Sequence, residues 1–589
     1  MGRGFLTLEG TTMDHSKLTK LTGVGPGLAE RIANHFGSEA EALAALSENP
    51  YRLMEVEGIG FRRADRIAQA HFGISPDDPI RHGYGNDWVL RQAGGRMPLD
   101  LYQARRMEIG LFDRRHELWG AFCDILLEPD LQDSPEFAQY VWLEPELRAE
   151  QSLARFLGKA TRPTTNPFIM PNGIPTYLNE AQVDAVLKMS CPGFVPALCV
   201  TGGAGTGKTT VIAEAVRRLG AGAARIMAFT GKAAQRVRQA LAERGCEDFA
   251  EVSTLHRGLD YKPGEGFRRE RFTESVVIID EASMVPNWLL AQVVARLEPS
   301  ATLVLVGDVA QLPPIDAGFP FKDFIDAGVH TVTLTQNYRQ ENQREIFELA
   351  EAVRTRALQP PPLHASICAT NLSAYEFNYW CEALLDPGRL PPLLDWQAIT
   401  YRNADRERIN LELQKIFNPH GGKAFEYWPR ALPREERAPI AVKTGDKIVV
   451  RANIYSLEVM NGQTGIVRDV RLDRETYEPV SVIVEIEGRS VEVPLELAPD
   501  LLELGYCITT HKAQGSGWKE VFILQPGAVG FDSRRWWYTA ISRAEEQLAI
   551  LTQMGTKTWW ANATKPMPSE PSSLLARFQR YASQPVGVR

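Results

Sequence analysis

The densest chemistry in this sequence lies in "TGGAGTGKTT", residues 201–210. Gly202, Gly207, Lys208 and Thr209 satisfy the spacing G-x-x-x-x-G-K-[ST], which builds a loop for phosphates. The glycines Gly203, Gly205 and Gly207 keep the backbone thin, with Ala204 and Thr206 completing the loop, so that N–H groups can surround a β-phosphate. Lys208 would neutralise the β/γ charge, and the Thr209 hydroxyl, with Thr210 behind it, would ligate Mg²⁺. Asp280 and Glu281 end the apolar run of "VVIIDEAS", 72 residues further on (208 to 280). Asp280 could hold the water shell of Mg²⁺, and Glu281 could take a proton from the attacking water. The alternative is an acidic helix start that suits the helix dipole. Gln311, in "LVGDVAQLPPI", could sense a γ-phosphate and orient water, or lie on a proline-rich surface loop. ATP and Mg²⁺ are the expected cofactors.

Such groups need strands behind them. "ALCVTGG", "ARIMAFTG", "SVVIIDEA", "ATLVLVGD" and "HTVTLTQ" alternate with helical stretches, the pattern of a parallel α/β sheet. A second set follows at "LDWQAITY", "YCITTHK", "EVFILQP" and "LAILTQ". Between them, about 441–503 is alternating, β-branched and punctuated by turns. It looks like a small β-barrel inserted into the second α/β domain. Trp536, Trp537, Trp559 and Trp560 are expected in the core rather than on a base-stacking surface.

Upstream, "LTGVGPGLAERIANHFG" (21–37) and "VEGIGFRRADRIAQAHFG" (56–73) resemble each other. Each sets a G-x-G turn before an amphipathic helix, whose positive end could meet a phosphate. The pair resembles a tandem helix-hairpin-helix module; a small bundle whose glycines only turn corners is the alternative. Residues 76–165 read as helical, with "PELRAEQSLARFLGKA" amphipathic at i, i+3, i+4. The Pro- and Gly-rich stretch 161–178 reads as a linker. The expected domains are therefore 1–75, 76–165, 166–330 and 331–589.

The composition is that of an ordinary globular protein, 44% hydrophobic and 23% charged. The net charge of −8 argues against a uniformly basic coat but leaves room for a local basic channel. Seven scattered cysteines without a C-x-x-C pair suggest neither a zinc site nor a disulfide framework. No apolar run reaches about 18 residues, and the first residues lack the apolar core of a signal peptide. A cytoplasmic protein of a bacterial or phage-infected cell, without a membrane partner, is expected.

The order of motifs resembles that of superfamily 1 helicases over about 179–555: the phosphate loop, "DEAS", "GDVAQLPPI", "LTQNYRQ", "ITTHKAQGSGWKEV" and "WWYTAISRAEEQLAI". "DEAS", the paired N-terminal turns and "THKAQGS" narrow the resemblance to the RecD-like group of superfamily 1B, in its N-terminally extended form. The resemblance implies two RecA-like domains, an N-terminal helix-hairpin-helix region and an inserted SH3-like barrel. It implies that Gln182 of "LNEAQ" reads the adenine edge, although Asn179 could simply cap a helix there. It also implies that Arg339 and Arg543 act as arginine fingers from the second domain.

For single-stranded DNA, the resemblance implies contacts from Thr230, Lys232, Thr254, His256, Thr510, His511 and Lys512. It places a duplex-splitting pin at about 257–274, with Phe267 and Arg268 on it, and Asn461 of the barrel near the strand. The expected activity is ATP-driven 5′ to 3′ translocation with duplex unwinding, a polarity that rests on the resemblance alone. The expected partners are single-stranded DNA and ss/dsDNA junctions. The N-terminal region is open to protein partners, and a monomer is expected. Two rivals are a translocase that remodels protein–DNA complexes and a DNA-binding scaffold switched by nucleotide. The Asp280–Glu281 pair argues against the scaffold, since a switch needs no base.

Overall fold

The computed structural model describes residues 17–583, except 57–58, 110, 112–124, 128–130, 132–133, 135–136, 138–139, 163–175, 263–265, 339–343, 362–366, 372–389, 430, 433–436, 452–456, 458, 460, 474–476, 487, 496, 526–528, 531–532 and 568–571. The chain divides into two compact units, Met1–Gln151 and Ser152–Arg589. The division falls inside the helix Glu144–Ala160 rather than at the expected residue 165.

The first unit is mainly helical. Pro26–Phe36 and Phe61–His71 each begin at an extended glycine, Gly25 and Gly60, with no side-chain cap. Their first N–H groups are therefore unsatisfied by a cap. The helices close over a core of Leu18, Ile32, Leu46, Tyr51, Phe61 and Ile67. A buried ion pair sits beside that core. Arg81 donates from Nε to Asp65 Oδ1 (2.9 Å) and from Nη2 to Oδ2 (3.1 Å), and Tyr51 Oη adds a third bond to Oδ1 at 2.6 Å. Residues 76–165 are not wholly helical, because Arg96–Pro98 and Ile125–Leu127 flank Tyr140–Leu143 in a small antiparallel sheet.

The second unit contains two parallel sheets. The strands of the first are β1 (Ala197–Gly202), β2 (Ala224–Ala228), β3 (Ala250–Thr254), β4 (Val276–Asp280), β5 (Thr302–Gly307) and β6 (His330–Leu334), in the order β6-β1-β5-β4-β2-β3. β1, β2, β4 and β5 are buried along their whole length. That explains their continuous apolar runs, since a parallel sheet is covered on both faces. β6 pairs with β1, so the expected boundary at 330/331 cuts a strand of the first sheet; the break belongs after Leu334.

The second sheet runs β7 (Ile367–Asn371), β8 (Trp396–Thr400), β9 (Cys507–Thr509), β10 (Trp518–Gln525) and β11 (Ala544–Thr552), in the order β7-β11-β10-β8-β9. Trp536, Trp537, Trp559 and Trp560 are buried around it, as expected. Between β8 and β9 the chain forms a five-stranded antiparallel sheet from Lys447–Val450, Thr464–Leu472, Pro479–Ile486, Arg489–Pro494 and Leu502–Leu504. Its last strand reaches Leu504 and is separated from Cys507 by only Gly505 and Tyr506. No helix among the described residues is long and apolar enough to cross a membrane.

Candidate nucleotide-binding site

β1 ends in the phosphate loop, and the helix Lys208–Leu219 leaves it. Two glycines there are dictated by space. A Cβ on Gly202 would lie 2.6 Å from Thr206 Oγ1 and 2.9 Å from Leu334 O. Gly207 has φ +82°, and a Cβ there would come within 2.5 Å of Gln182 Nε2. Lys208 folds back over the loop, with Nζ donating to Gly202 O (2.7 Å) and Gly203 O (2.9 Å).

β4 delivers Asp280 and Glu281 to the same place. Glu281 is a non-glycine residue in the left-handed region, φ +53°, a conformation that costs about 1–3 kcal/mol and clusters at functional sites. Its N–H donates to Asp280 Oδ1 at 3.0 Å. Burial, and then the Glu281 charge, raise the Asp280 carboxyl above the ordinary range; Lys208 and Arg236 oppose the shift. β5 leads to Gln311, whose Nε2 donates to Asp308 Oδ2 at 3.4 Å. Glu281 Oε2 and Gln311 Oε1 are buried without a hydrogen-bond partner.

These groups line a single cleft of ≈ 380 Å³ that also takes Ser516, Ser542 and Arg543 from the second sheet's side. The cleft therefore lies between the two α/β sheets. Ala204 through Thr210, Asp280, Glu281, Gln311 and Arg543 are brought together there. Loop, lysine and hydroxyl fit a polyphosphate. Thr209 and Asp280 supply hard oxygen ligands of the kind Mg²⁺ takes alongside phosphate oxygens. Among the described residues no group of three or more His, Cys, Asp or Glu could hold a metal without such oxygens. Arg543 is held on its own domain, donating to Thr539 O (3.0 Å), Ser516 O (3.0 Å) and Ser542 Oγ (2.9 Å). Arg339 lies outside the described residues.

Gln182 is buried, its Oε1 accepts from Asn179 N (3.1 Å), and its Nε2 donates to Thr206 O (3.2 Å). Asn179 and Gln182 form a capping box, as the capping alternative expects, and the Gln182 amide keeps one N–H and one lone pair beyond these two bonds.

Among the cleft-lining residues not singled out from sequence are Arg236 and Tyr338. Arg236 stands one helical turn from Lys232 on Gly231–Ala242, a spacing that puts both on one face. Tyr338 adjoins Arg339; its N–H donates to Gly205 O (2.9 Å) and its Oη accepts from Asn179 Nδ2 (2.6 Å).

The expected strand contacts fall into two groups. Lys232, His256, His511, Lys512, Phe267, Arg268 and Asn461 are at least partly exposed. Thr230 is half-buried and caps a helix, accepting from Ala233 N at 3.2 Å. Thr254 and Thr510 are corrections. Thr254 is buried and caps the helix Leu255–Gly258 through Arg257 N. Thr510 is fully buried, with no exposed surface and no partner for its hydroxyl. The Thr510 hydroxyl therefore offers a strand no surface in this conformation, and Thr254 offers little. Burial lowers the pKa of His256 and His511, which favours neutral rings.

At the expected pin, Tyr261–Lys262 pairs with Gly266–Phe267 in a short antiparallel ladder, and the turn 263–265 lies outside the described residues. Tyr261 and Phe267 pack at 5.1 Å, and Phe267 meets Trp288 at 6.1 Å. Arg296 fixes the base of the hairpin, donating to Phe267 O (3.0 Å) and Arg269 O (2.6 Å). No sequence signal marked Arg296.

Comparison with known proteins adds three family models. "AAA domain" matches residues 177–360, "ATP-dependent RecD2 DNA helicase HHH domain" 13–96, and "UvrD-like helicase C-terminal domain" 504–551. The chain is 29% identical to the ATP-dependent RecD2 DNA helicase of Deinococcus radiodurans, covering 97% of this chain and 78% of that one. It is 30% identical to the RecBCD enzyme subunit RecD of Mycobacterium tuberculosis, covering 64% of this chain and 69% of that one. A Pif1 helicase structure from Bacteroides overlaps 69% of this chain and 97% of its own, at 18% identity and a TM-score of 0.43.

Proposed function

Because the chain belongs to the RecD-like family of helicases, we propose that it is an ATP-dependent DNA helicase that moves 5′ to 3′ on single-stranded DNA and unwinds duplex. The observation that carries this reading is the shared cleft, in which Lys208, Asp280, Glu281 and Gln311 of one α/β domain face Ser516 and Arg543 of the other. A nucleotide bound there supplies a phosphoanhydride whose cleavage changes the charge between the domains. Lys208 leaves its two carbonyl partners to meet phosphate. Thr209 and Asp280 would hold Mg²⁺, which would neutralise phosphate charge, and Glu281 receives the proton of the attacking water. Gln311 orients that water, and Arg543, with Arg339, stabilises the developing charge from across the cleft. Closing and opening of the cleft then becomes movement along a strand.

The same reading covers the rest of the chain. Lys232, His256, His511, Lys512 and Asn461 border the strand, and the hairpin carrying Phe267 and Arg268 splits the duplex. The antiparallel insert is read as the SH3-like barrel, and the N-terminal unit as a helix-hairpin-helix grip on DNA backbone or on a protein partner. The protein works as a cytoplasmic monomer.

The test is ATPase activity with and without single-stranded DNA or RNA, together with unwinding of duplexes bearing a 5′ or a 3′ tail. Lys208→Ala is the control. Stimulation by DNA and unwinding from the 5′ tail are expected; unwinding from the 3′ tail alone would sink the assignment.

A further inference from the structure

A second pocket, of ≈ 390 Å³, lies on the second α/β domain where the antiparallel insert joins it. Asn403, Arg406, Glu407, Trp428, Arg451, Glu503 and Lys512 are among its lining residues. Three cations meet one buried carboxylate. Glu503 pairs with Arg406 and Lys512, and Arg451 Nε lies 3.6 Å from its Oε2. With Glu407 on Arg406 (3.0 Å), the cluster keeps one positive charge in excess. Arg451 and Lys512 keep 17% and 24% of their side chains exposed.

Trp428, on the same pocket wall, is 63% exposed. Among the described residues it is the only tryptophan classed as exposed; the others are buried or half-buried. An indole of this size normally buries most of its surface, whereas this one lines the same pocket as Arg406, Arg451 and Lys512. Lys512 ties the pocket to a residue proposed beside the strand: a Cβ on Gly462, next to Asn461, would lie 3.6 Å from Lys512 O.

We propose that this pocket is a nucleotide subsite of the single-strand path, in which Trp428 stacks a base and Arg451 and Lys512 take the flanking phosphates. It rests on the helicase reading above. Glu503 acts as the positioning residue, since it holds the cations at the pocket wall without touching the strand. Stacking on a ring is tolerant of sequence and contributes without releasing counterions, whereas a phosphate contact releases them. Ring and cation therefore leave different marks on salt dependence.

The experiment measures binding of fluorescent single-stranded oligonucleotides by full-length protein across a salt series, for wild type, Trp428→Ala, Trp428→Phe and Arg451→Ala. A thermal melt of each variant guards against unfolding. Trp428→Ala is expected to weaken binding on the order of tenfold with an unchanged salt slope, and Trp428→Phe to recover most of the loss. Arg451→Ala is expected to lower the log–log slope by about 0.7. Wild-type affinity in Trp428→Ala, or a slope change equal to that of Arg451→Ala, would overturn the subsite alone. A wild-type protein that binds no single strand would overturn the helicase reading and the subsite with it.

Discussion

Tyr538 Oη donates to Asp308 Oδ2 at 2.7 Å. The bond joins the helix Ser533–Ile541 of the second α/β domain to the loop that carries Gln311 in the first. Two further bonds stitch the same loop, from Leu312 N to Thr539 Oγ1 (3.0 Å) and from Gln514 Nε2 to Leu312 O (3.2 Å). Gln311 therefore sits on a loop held from both sides of the cleft. Any change in its position reaches the partner domain through bonds that are already made.

Removing the Tyr538 hydroxyl should uncouple that link. A hydrogen bond to a charged group contributes about 1.5–3 kcal/mol. Tyr538→Phe is predicted to lower DNA-stimulated kcat about tenfold while the KM for ATP stays within about twofold. Unchanged stimulation would mean that the bond only packs the two domains.

Glu281→Gln keeps the shape and removes the proton acceptor. Hydrolysis is predicted to fall by about 10²–10⁴-fold, with binding of a fluorescent nucleotide retained. If turnover survives, another group receives the proton and the role of Glu281 is wrong.

Arg296 holds the hairpin base by two carbonyls while standing apart from the cleft. Arg296→Ala is predicted to reduce unwinding of a 5′-tailed duplex at least about fivefold, with ATPase on single-stranded DNA near wild type; each lost bond contributes about 0.5–1.5 kcal/mol. Equal losses in both assays would count against a separate strand-splitting role.

In the N-terminal unit, Arg81 and Asp65 are nearly buried, at 5% and 11% side-chain exposure. Removing one partner leaves an uncompensated charge, at a cost of about 3–5 kcal/mol. Arg81→Ala is predicted to lower one calorimetric transition of the full chain markedly. A thermogram that superimposes on wild type would mean that the pair is dispensable.

Much of the cleft was legible because its chemistry is local. Glycine spacing, an apolar run ending in Asp280, and Gln311 after β5 are features of short windows, and backbone sterics turn them into geometry. What was misread was decided by tertiary context. Thr510 sits in a motif rich in polar residues, yet its hydroxyl is buried. Gln182 was legible two ways, and its capping box with Asn179 is the local one that the conformation shows. Tyr538 was invisible for another reason: its partner is 230 residues away in the chain. The boundary at 330/331 cuts the strand His330–Leu334, and the one at 165 lies beyond a division that falls inside the helix Glu144–Ala160.

The exit from the antiparallel insert carries a mechanical consequence. Its last strand reaches Leu504, β9 starts at Cys507, and the helix Thr510–Ala513 follows at once. Gly505 is wedged against the Ile448 backbone, where a Cβ would clash. Glu503 on this stretch grips Lys512 nine residues later. The insert is thus joined to the Lys512 segment like a crank arm forged onto its shaft, without a bearing between them. A tug on the insert from a moving strand would arrive at Lys512 as torque rather than being lost in slack chain.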